Sequence, residues 1–389
     1  MPPAQEETTL ELPEDVLMMR DLVREFAENE LRPIAAEIDR DERFPDESIP
    51  KMAELGLMGM TIPEEFGGSG TDTLSYALAI EEIARVCGST ALILAAHISL
   101  ACQPLHLFGS LEQKEKYLRP LASGESVGAY GLTEPNAGSD AGATESRAEL
   151  DGDSWVVNGT KMWITNAAQA ETMVFTARTG GEESGTRDIS AFIIDPRQEG
   201  VTVNKLEGKL GVRGSTTCEV VFEDARIPAE NLLGTRNEGF KQFLAILDGG
   251  RISIAAMGLG IAQGAYEEAL AYAQQREQFG KPIAALQAVA FMLAEMATRI
   301  EAARGLVYEA ARLKDADKPI IKHSAMAKYF AGETAQWVTT RAIQIHGGYG
   351  YSCEYPVERM WRDAKLTTIG EGTSEIQLLV VSREILTDL

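Results

Sequence analysis

"SWVVNGTKMWI" (154–164) is rich in β-branched and aromatic residues at the two-residue period of strands, and Asn158-Gly159 at its centre is the dipeptide that suits a type I′ turn. It reads as two short strands of a hairpin. "TMVFTAR" (172–178), "RDISAFIID" (187–195) and "TTCEVVFEDARIP" (216–228) continue as strands separated by turn residues. Residues from about 126 to 235 therefore form a compact antiparallel domain, a small barrel or sandwich.

On either side the period changes. Apolar residues recur at three and four in "DVLMMRDLVREFAENEL" (15–31) and "TLSYALAIEEIARVCG" (73–88), and only "IPEEFGGSG" (62–70) breaks the helical pattern of the first part. After "NEGFKQFLAILDGGR" (237–251) the helical period returns, most clearly in "IAALQAVAFMLAEMATRIEAARGLVYEAARLK" (283–314). A helix of that length, apolar on more than one stripe, packs against several partners, as in a bundle. Helices, then strands, then helices make an α+β chain and exclude alternating βαβ units. The expected domains are an N-terminal α-helical domain over 1–125, a central β domain over 126–235 and a C-terminal α-helical bundle over 236–389.

With 389 residues the chain can bury a large core, and 44% hydrophobic and 24% charged residues are ordinary for a globular protein. A net charge of −23 repels phosphate backbones and anionic lipid, so neither nucleic acid nor a membrane surface is expected as a partner. No run of 18–20 apolar residues suggests a membrane span, and the acidic start "MPPAQEETTLELPED" is unlike a signal or transit peptide. A cytoplasmic protein is expected, or one of the mitochondrial matrix if a presequence has been removed. Cys87, Cys102, Cys218 and Cys353 form no C-x-x-C pair, and the four histidines show no metal spacing, so metal chemistry is not expected.

Six stretches could carry chemistry. "GLGIAQG" (258–264) has neither the spacing nor the preceding strand of a dinucleotide loop, and its small residues suit close helix packing. "GAYGLTEPNAGSDAG" (128–142) can aim backbone N–H and hydroxyl groups at a ring edge or a phosphate, although any Gly-rich inter-strand turn has this composition. In "KMWITNA" (161–167) Trp163 could stack on a planar ligand or fill the core. "REQFGKPI" (276–283) puts Arg276 after a helix, as a phosphate clamp or a surface arginine favoured by the helix dipole. "QIHGGYGYSCEYPVERMWRD" (344–363) reads alone as a helix C-cap and turn. Finally, "TTIGEGTSEIQLLV" (367–380) sets Glu371 between two glycines before a helix whose Ser374 and Gln377 fit a capping box. By itself that is a solvated turn, or a place where a flat ligand approaches bare backbone.

Taken together, the last five of these stretches, at about 130, 163, 276, 347 and 371, resemble the acyl-CoA dehydrogenase family, and the resemblance covers essentially the whole chain. "GLTEPNAGSDAGA" is similar to one family signature and "QIHGGYGYSCEYPVERMWRD" to the other, at every constrained position. The resemblance implies a homotetramer with FAD between the β domain and the C-terminal helices, completed by a neighbouring subunit. It also implies oxidation of an acyl-CoA thioester to the trans-2-enoyl-CoA, with electrons passed to electron-transfer flavoprotein.

By match to the family, Glu371 is the base that takes the α proton while the β hydrogen leaves as hydride. Tyr130, Leu132, Thr133, Gly138 and Ser139 resemble the flavin-contacting loop, and Trp163, Ile164 and Thr165 the residues along the isoalloxazine ring. Arg276, Gln278 and Phe279 would reach the pyrophosphate of the neighbour's FAD. Gln287, Gln344, Gly347 and Gly348 would hold its adenosine end, and Thr373 and Glu375 return to the flavin. Ser139, Asp248, Arg251 and Gly372 would lie on the substrate side.

Relatives that place the base before the arginine matching Arg251 have no counterpart here, because that position is Gly250. Gly370 stands where many members have Tyr, which enlarges the acyl side, and a short or medium acyl chain is the expected substrate. A flavin oxidase on the same fold and a non-catalytic acyl-CoA-binding protein are the rival readings. The length argues against the first, and the retained base and flavin loop argue against the second.

Overall fold

The computed structural model of the chain describes residues 12–180 and 182–386. The element order is helices, strands, helices, as the change of period requires. The strands are β1 Val127–Gly131, β2 Arg147–Asp151, β3 Ser154–Thr165, β4 Ala170–Arg178, β5 Ile189–Ile194, β6 Val201–Lys205, β7 Thr217–Pro228 and β8 Leu232–Leu233. They are hydrogen-bonded in the order β6-β7-β3-β2-β4-β5-β8, with β1 added on β4.

Two details differ from the expectation. The sheet is mixed, since β1 runs parallel to β4 with Tyr130 beside Val174. The β2–β3 excursion between them is long enough to return the chain to the same end, which a parallel pair requires.

Asn158-Gly159 is also not a turn, because β3 runs through it unbroken. A bulge between Val157 and Gly159 interrupts the ladder with β7. A Cβ on Gly159 would sit 2.3 Å from Ser146 Oγ, so glycine serves close approach there and not reversal. The hairpin falls instead at Gly152-Asp153, between the paired Asp151 and Ser154.

Three cores hold the elements together. The aromatic rings of Trp155, Phe175, Phe192 and Phe222 fill one side of the sheet. A second core joins the N-terminal and C-terminal helices into one body. Its axis is the helix Gly239–Gln275, and "GLGIAQG" lies inside it as a packing surface. A Cβ on Gly260 would come 2.2 Å from the Glu81 carbonyl oxygen, and one on Gly264 2.1 Å from that of Arg85. Across the same seam Arg304 Nη2 and Tyr308 Oη donate to buried Glu81, at 3.0 and 2.8 Å.

The third core packs Tyr130, Val174 and Ile193 against Phe243 and Ile246. It fixes the loop after β1 relative to the start of the long helix, which carries Asp248 to Arg251. Two helical stretches, Gly88–Phe108 and Gly239–Gln275, are long and apolar enough to cross a membrane, contrary to the expectation that no such run exists. In both, 72% of the most apolar window is buried inside the fold, which accounts for its apolarity.

Candidate functional site

The segment opening at Glu371 is a turn held from several sides. After the helix Val357–Ala364 and a single 3-10 turn, Gly370 N–H donates to the Leu366 carbonyl at 2.8 Å. Glu371 then adopts φ 53° and Gly372 φ 96°. A left-handed backbone is uncommon for glutamate and is kept only where the surroundings impose it.

The capping residue is Thr373, one residue earlier than expected, and its hydroxyl accepts from Ile376 N–H at 3.3 Å. Ser374 instead donates to Glu333 at 2.7 Å. Gln377, freed from the box, turns its amide back to the carbonyls of Glu371 and Gly372, at 3.1 and 3.0 Å.

Glu371 is not a solvated turn residue, because its Oε2 is buried and has no hydrogen-bond partner. A Cβ at position 250 would lie 2.3 Å from that oxygen, so the bare backbone of Gly250 makes room for the carboxylate. Arg251 is 4% exposed and binds Asp248 Oδ1 at 2.7 Å through Nη1, while its Nε has no partner. Lys328 donates its ammonium to the Gly372 carbonyl.

Burial pushes the Glu371 carboxyl up to about 7, against the pull of the Lys328 and Arg251 charges. Burial likewise draws Lys328 down to about 8 and raises Asp248 above the usual carboxylate range. A carboxylate that titrates near neutrality in a partly apolar site suits a general base.

The loop after β1 is braced by an ion pair that sequence reasoning missed. Lys161 and Glu134 are 0% and 4% exposed and meet at 2.6 Å. Lys161 also donates to the Leu132 carbonyl at 3.1 Å, and Glu134 accepts from Glu145 and Ser146 N–H at 2.6 and 3.2 Å. Met162 N–H donates to the Thr133 carbonyl at 2.8 Å, tying this loop to the strand that bears Trp163. Burial works against the charge on Glu134, but Lys161 and the two amides hold its carboxyl below the usual range.

Around that brace Tyr130 and Ile164 are buried, Leu132, Thr133 and Thr165 half-buried, and Gly138 and Ser139 exposed. Trp163 is 60% exposed at φ 63°, which removes the core-filling reading of its indole.

Farther along, Arg276 ends the long helix and lies over the Tyr349 ring at 5.7 Å, which places it beside the segment with Gln344, Gly347 and Gly348. Neither glycine has any atom within 4 Å of where a Cβ would be. Gln278 and Gln287 are exposed, and Phe279 is 89% exposed. Thr373 spends a lone pair on its cap, and Glu375 is exposed.

The candidates thus form three groups: the braced loop with Trp163, the Glu371 turn with Asp248 and Arg251, and the Arg276–Gly348 surface. An exposed indole, bare glycines and an outward arginine suit a planar cofactor carrying phosphates. No group of histidine, cysteine and carboxylate side chains among the described residues could hold a metal ion.

Models of the acyl-CoA dehydrogenase N-terminal, middle and C-terminal domains match residues 13–125, 129–225 and 237–386. The chain is similar to the probable acyl-CoA dehydrogenase YngJ of Bacillus subtilis, 54% identical over 97% of this chain and 99% of the relative. It is 53% identical to the short-chain specific acyl-CoA dehydrogenase of Clostridium acetobutylicum, over 95% of this chain and 97% of that protein. A solved structure described as the electron transferring flavoprotein of Acidaminococcus fermentans superposes with a TM-score of 0.95 at 49% identity, covering 97% of this chain and 99% of the other. On three domain matches in family order and these full-length relatives, the chain belongs to the acyl-CoA dehydrogenase family.

Proposed function

We propose that Glu371 is the α-proton base of this chain, an FAD-dependent acyl-CoA dehydrogenase. The observation that carries this reading is the buried, unpartnered Glu371 Oε2 beside the bare backbone of Gly250. An α proton is poorly acidic, and a base held near neutrality by burial is matched to it better than a solvated carboxylate. Gly372 next to it makes room for the Gln377 amide, whose nitrogen lies 2.7 Å from where a Cβ would be. Bound FAD supplies the acceptor for the hydride that leaves the β carbon.

The protein residues divide the remaining work. The Glu134–Lys161 pair fixes the loop with Thr133 and Ser139, and Trp163 offers a flat face to the ring system. Asp248 and Arg251 hold each other on the substrate side. The short-chain relative and the space at Gly370, where a Cβ would first meet Leu366 Cδ1 at 3.5 Å, support a short acyl chain with room near its first carbons.

Electron-transfer flavoprotein is the acceptor we infer, on the likeness to the Acidaminococcus fermentans structure. The exposed Phe279, Phe291, Leu378 and Leu379 on the C-terminal helical part support a homotetramer in which Arg276, Gln278 and Phe279 reach a neighbour's cofactor. Bacterial cytoplasm, or the mitochondrial matrix after loss of a presequence, is the compartment consistent with the composition.

The test is anaerobic bleaching of the flavin band at about 450 nm with a panel of straight and branched acyl-CoAs. Several thioesters should bleach the wild type, and none should bleach Glu371→Gln at normal flavin content. Equal bleaching of both would remove Glu371 as the base.

A further inference from the structure

Lys328 lies on the buried stripe of the helix Ile321–His346, among Ser324, Ala325, Ala331 and Ala335, and is 1% exposed. A buried ammonium is expensive unless a carboxylate compensates it. The hydrogen bond of Lys328 goes instead to a carbonyl, that of Gly372, the residue after the base. Gln377 holds the same carbonyl and the one before it. Both peptide units around Gly372 are therefore fixed from one side, which braces the turn just after the left-handed glutamate.

The charges around the carboxylate come from five elements. The helix Gly239–Gln275 contributes Arg251, whose guanidinium is already engaged by Asp248. The helix Ile321–His346 contributes Lys328 and Glu333, and Glu333 is held by Ser374. Glu375 belongs to the helix Ser374–Ile385 and is exposed, and Lys314 of the helix Gln287–Asp315 faces Gly249. Tyr76 of the helix Thr73–Ala84 is buried, and burial keeps its phenol protonated. Of the two cations that act on the Glu371 carboxylate, Arg251 is engaged by Asp248, and Lys328 has no ion pair among the described residues.

We propose that Lys328 is a positioning residue for the reaction: through the Gly372 carbonyl it fixes the Gly372–Thr373 peptide, and so the turn that carries Glu371, and by its charge it keeps the carboxylate ionised in an apolar site. The inference rests on the reading of Glu371 as the base. Lys328 touches no reacting atom and acts through the turn and the field.

The measurement is kcat/KM with butyryl-CoA from about pH 6 to about pH 9.5 for the FAD-loaded wild type and for Lys328→Gln, Lys328→Met and Lys328→Arg. Flavin content and melting temperature are followed in parallel. In the wild type the rate should fall as pH drops through the Glu371 carboxyl, at about 7. Lys328→Gln retains a donor for the Gly372 carbonyl and loses the charge. Its acid limb should move up by about one pH unit, leaving it roughly fivefold slower at about pH 7, approaching roughly tenfold at lower pH, and nearer to wild type at high pH. Lys328→Met should show the same shift plus a pH-independent loss, and Lys328→Arg should restore the limb.

A uniform drop at every pH with an unmoved limb in both neutral variants would make Lys328 a packing residue and overturn the proposal. So would a limb in Lys328→Arg displaced as far as in Lys328→Gln. Failure of the base reading is seen separately, as bleaching that survives Glu371→Gln.

Discussion

Position 250 shows how one missing Cβ decides what a site can be. In this chain the carboxylate of Glu371 reaches this spot from the turn before the helix Ser374–Ile385, with Oε2 2.3 Å from where a Cβ would be. Gly250→Ala should therefore separate stability from activity. Alanine inside a helix is favoured over glycine by up to about 1 kcal/mol, so the melting temperature should hold or rise. The displaced carboxylate should cost on the order of 10²-fold in kcat/KM, the penalty of roughly 1 Å of misplacement. Steady-state kinetics with a thermal melt would check this, and unchanged kcat/KM would mean that the carboxylate works from some other position.

Elements follow the same logic at larger spacing, since the helix Gly239–Gln275 packs as tightly as it does because Gly258, Gly260 and Gly264 face carbonyl oxygens. Gly260→Ala must push the Glu81 carbonyl away or bend the helix, and it should destabilise the protein by about 1–3 kcal/mol in urea unfolding, as overpacking does elsewhere. A neutral result would show that the seam gives way easily. The packing role of these glycines was legible in the sequence because they interrupt no helical period.

The period of two likewise announced the sheet, but it could not tell a bulge from a turn at Asn158-Gly159, because both use glycine and only the neighbouring Ser146 distinguishes them. Glu371, Trp163 and the loop after β1 stood out through their glycine and aromatic context. Lys161 and Lys328 did not, although each is a lysine on the buried face of its element, and that mismatch was the available signal. Their partners, Glu134 and the Gly372 carbonyl, lie 27 and 44 residues away, and local pattern carries no information at that distance.

At the scale of the molecule the candidate site is divided unequally. The braced loop and the Glu371 turn belong to one body with shared cores, whereas Arg276 and Phe279 point outward, with Phe279 89% exposed. A large apolar side chain so exposed is costly unless something covers it. In the proposed tetramer that cover is the neighbour's cofactor site, and each site would draw its base from one chain and Phe279 from another.

Mixed oligomers test this directly. Glu371→Gln alone should be inactive, and Phe279→Asp alone should bind FAD weakly. Co-expressed, they assemble some sites with both defects and some with neither. Mixed pairs should then regain activity in up to about half of their sites, as the symmetry of a two-fold interface requires. Flavin bleaching by butyryl-CoA in the purified mixed oligomer reads the recovered fraction, and a mixture no more active than its separate components would mean that one chain builds the whole site alone.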